Sequence, residues 1–172
     1  MIDITLEQID GRPALRLERP LDYPVERVWR AVSDPSELEC WMPAATDWTP
    51  AVGETFEAGG VTGEVTEVEV PRRLAWTYGA DEYSFDLSAR GDGCTLVFLH
   101  VFDDRDLPAQ TATGWETYFS RLEPHLAGRY VTEEKAHVQW EEIHEQYAEK
   151  FGLDPTPGRK FAATLRAQEP ET

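Results

Sequence analysis

The sequence predicts an α+β fold in which a curved antiparallel sheet precedes a long C-terminal helix. Three observations predict it. Between residues 55 and 102, strand-like runs follow one another with only short turns between them, which is typical of an antiparallel meander. After Pro108 the apolar residues change to helical spacing, and an Asp-Gly turn with a proline-bounded helix opens the chain.

The first element is a hairpin that turns at Asp10-Gly11, a dipeptide favoured in two-residue turns between extended runs. A helix follows from Pro24, because a first helical residue tolerates the missing N–H of proline. It ends before Pro35, since the residue before a proline is excluded from the α region. One buried face is predicted from residues at helical spacing: Val25, Val28, Trp29 and Val32. A second short helix follows, bounded by Pro35 and Pro43.

Five strand-like runs come next, punctuated by glycine or proline. They are residues 55–58, 61–70, 74–78, 82–90 and 94–102. The last run is the longest apolar one and suits a central strand. A long helix is then predicted over residues 109–127, with Gly128 as its C-cap, from apolar residues at helical spacing: Ala112, Trp115, Phe119, Leu122 and Leu126.

The C-terminal part differs in composition from the rest of the chain. Residues 131–151 are predicted to form an extra helix, and the polar tail 158–172 is expected to be partly disordered. Lysine occurs only after residue 134, which indicates a domain over residues 1–128 and a C-terminal extension over 129–172. We expect the extra helix to pack on its own domain; covering a pocket mouth or contacting a second copy in a homodimer are the alternatives.

Charge and hydropathy exclude several classes of function. A net charge of −17 argues against binding nucleic acid or an anionic membrane surface. The sequence has no apolar run of about 18 residues, so no membrane span is expected. The N-terminus lacks the pattern of a signal peptide, and a cytoplasmic location is expected. Cys40 and Cys94 are expected to be reduced thiols that pack as small apolar residues.

Several of these segments resemble the START-like (SRPBCC) superfamily. Within it the chain resembles the group named after homologues of the activator of heat-shock-protein-90 ATPase, the AHSA-like proteins. The similarity covers about residues 12–128. The segments that carry it are residues 21–35 with Trp41, the turn at 71–74 before Trp76-Thr77-Tyr78, the strand 96–100, and Gly114-Trp115 with Leu122 and Leu126.

The resemblance implies a helix-grip fold, also described as START-like or Bet v-like, in which the curved antiparallel sheet wraps around the long C-terminal helix. It also implies an apolar cavity between sheet and helix. Members of the superfamily bind lipids, hormones or polyketides, some are cyclases or aromatases, and others assist chaperones. A chaperone partner is not expected here, because the eukaryotic co-chaperones carry an additional N-terminal domain for which this chain has no room.

Aromatic residues are the first candidates for a binding site. In a helix-grip fold several would point between sheet and helix, where they could line a cavity for a small apolar ligand. The alternative is that they fill the core, as aromatic residues at strand and helix spacing commonly do. The candidate lining residues are Trp29, Trp41, Trp76, Tyr78, Phe85, Phe98, His100, Trp115 and Phe119. The sequence therefore favours non-enzymatic binding of a lipid, polyketide or aromatic molecule.

The alternative functions are a polyketide cyclase or aromatase and a protein-interaction module. An enzyme would need a polar group in the cavity that can move protons, and only His100 and Tyr78 are candidates. No order of nucleophile, base and carboxylate places His100 in a catalytic triad. No catalytic residue and no cofactor are therefore predicted.

Three residues of the extra helix are candidates for a metal site. His137, Glu141 and His144 fall at helical spacing and could share one face. An acidic, solvated helix face explains the same residues, and no metal site is predicted.

Overall fold

The computed structural model describes residues 2–43, 47–103 and 107–168. Over these residues seven strands form one sheet: Ile4–Ile9 (β1), Arg12–Leu21 (β2), Thr55–Ala58 (β3), Val61–Glu69 (β4), Arg73–Tyr78 (β5), Asp81–Arg90 (β6) and Gly93–Val101 (β7). The helices are Val25–Ser33 (α1), Pro35–Leu38 (α2), Pro108–Leu126 (α3), Glu133–His137 (α4), Trp140–Phe151 (α5) and Thr156–Gln168 (α6). None of the helices described has the length and apolar content that crossing a bilayer requires.

The sheet is antiparallel throughout and runs in the order β1-β2-β7-β6-β5-β4-β3. The two short helices α1 and α2 connect β2 to the far edge strand β3, and α3 returns from the central strand β7. This arrangement confirms the α+β class and the helix-grip fold. The predicted long helix over residues 109–127 is confirmed within one residue at each end.

The first turn forms where the sequence predicts it. Asp10 and Gly11 both have positive φ, 50° and 77°, which matches the twist of the β1–β2 hairpin. The two proline signals also hold. Pro24 precedes α1, and Asp34 caps α2 by accepting hydrogen bonds from the backbone N–H and the hydroxyl of Ser36 at 2.9 and 2.6 Å.

The segment after α2 is fixed by two indoles and one buried guanidinium. Trp41 donates from Nε1 to the carbonyl of Ala31 at 2.8 Å, and Trp48 donates to the carbonyl of Ser33 at 3.0 Å. Arg121 of α3 is 3% exposed and donates to the carbonyls of Trp41 and Cys40. Buried carbonyls that would otherwise lack partners are thereby satisfied, so Trp41 enters the core with a fixed orientation.

The inner face of the sheet is set by register. Across the central strands, Leu15, His100, Tyr83 and Trp76 are direct neighbours in one row, and Leu17, Phe98, Phe85 and Leu74 form the next row. Side chains alternate between the two faces of a strand, so both rows lie on one side. Helix α3 covers them with an apolar face that includes Trp115, Phe119 and Leu122, all buried.

The C-terminal part contains more helical breaks and more helix than the sequence predicted. The predicted single helix over residues 131–151 is two helices, α4 and α5, which are separated at Val138 and Gln139. No glycine or proline marks this break, so hydrophobic periodicity could not locate it. The tail predicted to be partly disordered forms α6 as far as Gln168; residues 169–172 lie outside the described residues.

Helix α6 forms because its first turn is capped and one of its faces is covered. Asp154 Oδ1 accepts a hydrogen bond from the backbone N–H of Thr156 at 2.9 Å. Gly158 packs directly on the imidazole of His144 in α5, where an added Cβ would lie 1.9 Å from Nε2. Phe161 contacts Trp140 with ring centroids 5.4 Å apart. This tertiary packing outweighs the polar composition that favoured disorder.

Helix α5 packs on the outer side of α3 and also contacts the N-terminal strand. Glu116 of α3 is 5% exposed and accepts hydrogen bonds from the Tyr147 hydroxyl and, at 3.0 Å, from the backbone N–H of Ile2. The Tyr147 hydroxyl also lies 2.7 Å from the Ile2 carbonyl, and Lys150 donates to the Ile4 carbonyl at 2.8 Å. The buried carboxylate of Glu116 requires hydrogen-bond donors, and the Tyr147 hydroxyl and the Ile2 N–H supply them.

The Tyr147 hydroxyl should therefore contribute to stability. We expect Tyr147→Phe to lower the free energy of unfolding by about 1–3 kcal/mol, because it removes a donor from a buried charged acceptor. Urea unfolding followed by circular dichroism measures the change. Tyr130→Phe is the matched control, since Tyr130 is 69% exposed. Equal stability of the two variants would contradict the assigned role.

Candidate functional site

Five of the predicted lining residues meet in a closed aromatic core between sheet and helix. Trp41, Phe85 and Phe98 face Trp115 and Phe119 of α3. Ring centroids lie 5.3 Å apart for Trp41 and Phe119, 5.3 Å for Phe85 and Phe98, and 4.5 Å for Phe98 and Trp115. These are direct ring contacts, and all five side chains are buried. The rings thus fill the space between the sheet and the middle of α3.

A second group of rings stands in a row along the inner face, and we call Trp76, Tyr83 and His100 the aromatic ladder. They belong to β5, β6 and β7 and are direct cross-strand neighbours. Tyr83 and His100 stack with centroids 4.2 Å apart and planes 15° apart, and Tyr83 and Trp76 stack at 5.3 Å and 7°. Strand register therefore makes one continuous aromatic surface.

The polar end of the ladder is a hydrogen-bonded chain centred on His100. Trp115 donates from Nε1 to His100 Nδ1 at 2.9 Å, and His100 Nε2 lies 2.9 Å from Asp81 Oδ2. An indole nitrogen can only donate, so Nδ1 must be the acceptor and Nε2 must carry the proton. His100 is thus a neutral imidazole that donates to the Asp81 carboxylate. The Tyr83 hydroxyl lies 3.4 Å from the same carboxylate oxygen.

Burial is the main influence on the pKa values of His100 and Tyr83. Burial lowers the pKa of His100, and the adjacent Asp81 carboxylate opposes that effect without overcoming it. Burial, reinforced by the charge of Asp81, raises the pKa of Tyr83. Both groups are therefore neutral at pH 7.

The inner face is open to solvent at the β5–β6 turn. Tyr78 and Tyr83 are half-buried, and the side chain of Asp81 is 32% exposed, whereas His100 beside them is buried. The aromatic surface that is closed under the middle of α3 therefore reaches water at its Asp81 end.

The charges around this opening are mostly negative. Arg12 donates to Asp103 at 2.7 Å, to Glu82 at 2.9 Å and to the carbonyl of Ala80 at 2.7 Å. The one guanidinium beside the turn in the described structure is thus already bonded to two carboxylates, and Asp81 lies next to them along the chain.

The predicted site residues fall into three groups. Trp41, Phe85, Phe98, Trp115 and Phe119 form the closed core, and Trp76 and His100 belong to the ladder. Tyr78 turns towards the sheet edge, where its ring stacks on Phe56 at 6.4 Å and its hydroxyl donates to the carbonyl of Ala58 at 2.6 Å. Trp29 is buried on α1 and joins none of the ring contacts among the described residues.

Sequence reasoning missed Asp81 and Tyr83 as site residues. Tyr83 alternates with Phe85, which places it on the inner face. Its position beside His100 depends on the β6–β7 register, which periodicity does not give. Asp81 pairs with Tyr78 across a tight turn. It is the first residue of β6 and lies two positions before Tyr83, so the alternation of the strand could have placed this carboxylate on the inner face.

Other features of the surface do not form a comparable site. A depression of about 310 Å³ lies on the opposite, outer face of the sheet and includes Ala75, Ser84 and Leu99. Of the three residues considered for metal binding, His137 contacts the Glu133 carbonyl, Glu141 pairs with Arg166, and His144 is covered by α6. Over the described residues no group of His, Cys, Asp or Glu side chains could hold a metal ion.

Comparison with known proteins gives a family match and several related folds. The family model described as Activator of Hsp90 ATPase homolog 1-like protein matches residues 22–127, more than half of the chain. The crystal structure of CalU16 from Micromonospora echinospora superposes with a TM-score of 0.69 at 24% identity, covering 87% of this chain and 96% of that one. The comparison with curated proteins finds no similar chain.

Two further solved structures show the same fold. A protein from Bordetella parapertussis has a TM-score of 0.63 and 26% identity over 84% of this chain and 91% of that one. A conserved protein of unknown function from Enterococcus faecalis has a TM-score of 0.67 and 18% identity over 87% and 91%. Both coverages exceed the span of the family model, so the similarity of fold extends beyond residues 22–127.

The hydrogen bonds that link Trp115, His100 and Asp81 predict that the stability of the protein depends on pH. A folded-state pKa of His100 below its unfolded value near 6.5 gives stability that is complete above about pH 6.5 and is lost as the pH falls towards the folded pKa. Protonation would also place an N–H against the indole N–H of Trp115. We therefore expect Trp115→Phe to raise the pKa of His100 and to reduce this loss.

The measurement is an NMR titration of the imidazole signals, combined with urea unfolding between pH 7.5 and 5. Trp29→Phe is the control, because it also replaces a buried indole but leaves the contacts of His100 intact. A His100 pKa that is the same in Trp115→Phe and wild type would refute the assigned hydrogen bond.

Proposed function

The chain belongs to the family of Activator of Hsp90 ATPase homolog 1-like proteins, within the START-like superfamily, and on that premise we propose that it binds a small hydrophobic molecule without transforming it. Members of this fold family often bind hydrophobic ligands. The site we propose lies at the Asp81 end of the aromatic ladder, where the space between sheet and α3 opens to water.

One observation carries the proposal: an aromatic surface leaves the protein interior and ends, half-exposed, beside a single oriented carboxylate. Tyr78 and Tyr83 are half-buried there, and the ring of Trp76 stacks on that of Tyr83. Apolar walls with a few convergent polar groups are typical of small-molecule sites. The closed core under α3 provides a rigid floor for this surface.

The size of the effect is modest. Removing about 150 Å² of apolar surface from water contributes about 4 kcal/mol at 25 cal/mol per Å², before the entropic cost of association. A free energy of about 4 kcal/mol corresponds to a dissociation constant of about 1 mM, so the affinity we expect from this contact alone is millimolar or weaker. A ligand that reaches further inward must displace rings of the closed core.

The hydrogen bonds of the candidate proton carriers support binding rather than catalysis. Both ring nitrogens of His100 are engaged, by Trp115 and by Asp81. The hydroxyl of Tyr78 donates to the Ala58 carbonyl. A general acid or base needs a free position within hydrogen-bond reach of the reacting group.

Titration with N-phenyl-1-naphthylamine, an uncharged fluorescent aromatic probe, tests the proposal. We expect saturable binding at one site, and about tenfold weaker binding for Tyr83→Ala, because the exposed ring is removed. Tyr83→Leu should retain part of the affinity, since it keeps apolar bulk at the same place.

Tyr130→Ala is the matched control for this titration, because Tyr130 is an exposed tyrosine outside the site. Its affinity should equal that of the wild type. Melting temperatures of all variants verify that they are folded. The absence of saturable binding to the wild-type protein would refute the proposed function.

A further inference from the structure

The charge at the open end of the ladder specifies the chemistry of the ligand. Asp81 Oδ2 accepts from His100 and faces the Tyr83 hydroxyl, so its position is fixed. No hydrogen-bond partner of Oδ1 is found among the described residues. A half-exposed carboxylate therefore presents one unused acceptor oxygen at the edge of an aromatic surface.

The groups around Asp81 that the structure describes leave its charge uncompensated. His100 is neutral, as its bond from Trp115 requires, and so it donates a proton without adding positive charge. Arg12 is shared between Glu82 and Asp103. Counting only residues within 2–43, 47–103 and 107–168, the three carboxylates of Asp81, Glu82 and Asp103 against Arg12 leave two negative charges at this turn. The net charge of −17 adds a long-range field of the same sign.

Resting on the proposed function, we propose that the ligand of this site is an aromatic or otherwise hydrophobic molecule with a protonated amine, and that Asp81 binds that amine. The ammonium group donates to Asp81 Oδ1 in a charge-assisted hydrogen bond, while the apolar body covers Tyr78 and Tyr83. A fatty acid or another carboxylate would instead place two negative charges together, and the described part of the chain has no free cation beside them.

Three ligands with one naphthalene body separate the head groups: 2-(1-naphthyl)ethylamine, 2-(1-naphthyl)ethanol and 1-naphthaleneacetic acid. Dissociation constants measured by calorimetry at pH 7 should increase in the order amine, alcohol, acid. We expect the amine to bind about tenfold more tightly than the alcohol, which is typical of one charge-assisted bond at a partly exposed site. Raising the salt concentration should weaken the binding of the amine and of neither other ligand.

Asp81→Asn should remove the preference for the amine over the alcohol. The amine should bind about tenfold more weakly to this variant, and the alcohol should keep its affinity. Asp86→Asn is the control, because it removes one negative charge from the same strand on the outer face, where Asp86 pairs with Arg73. This variant should retain the preference of the wild type.

The outcomes separate this inference from the proposed function. Equal binding of the amine and the alcohol, or tighter binding of the acid, overturns the inference and leaves the proposed function standing. Equal effects of Asp81→Asn and Asp86→Asn also overturn it, since the preference would then follow net charge. Failure of all three ligands, together with failure of N-phenyl-1-naphthylamine, overturns the proposed function and this inference together.

Discussion

The hydrogen bond from the Trp115 indole to His100 Nδ1 is the contact on which the described site depends. It joins the long helix to the central strand, and it decides which imidazole nitrogen carries the proton. That proton points at Asp81, so the orientation of a half-exposed carboxylate is determined from inside the core. Without this donor His100 could accept or donate at either nitrogen, and the carboxylate would have no defined neighbour.

The aromatic residues of this protein serve two purposes that the sequence alone does not separate. Under the middle of α3 they contact one another from both sides, as in an ordinary core. At the β5–β6 turn, rings of the same type stand in a row with solvent beside them. The difference comes from α3, which covers the neighbouring row at Phe98 and Phe85 but leaves the Asp81 end of the ladder half-exposed.

Most of the fold could be predicted because its signals are local. Pro24, Pro35 and Asp10-Gly11 act on their own neighbourhoods, and Trp115 with Phe119 gives the period of α3. The site was only partly predictable, because Asp81 and Tyr83 reach His100 through strand register, which links residues about 20 apart in sequence. Helix α6 was missed for a similar reason: its stability comes from packing on Trp140 and His144, not from its own composition.

The contact between Tyr147 and Ile2 joins residues 145 apart in sequence. It has a consequence for synthesis on the ribosome. The sheet and α3 can assemble once residue 126 is outside the exit tunnel, but the outer side of α3 then still exposes Glu116. Tyr147, the hydroxyl donor to Glu116, arrives some 20 residues later, when α5 emerges and contacts Ile2 and Ile4. The hydrogen bonds of Ile2 are therefore completed only after α5 has emerged, and nascent chains that stop before α5 should be less stable than longer ones.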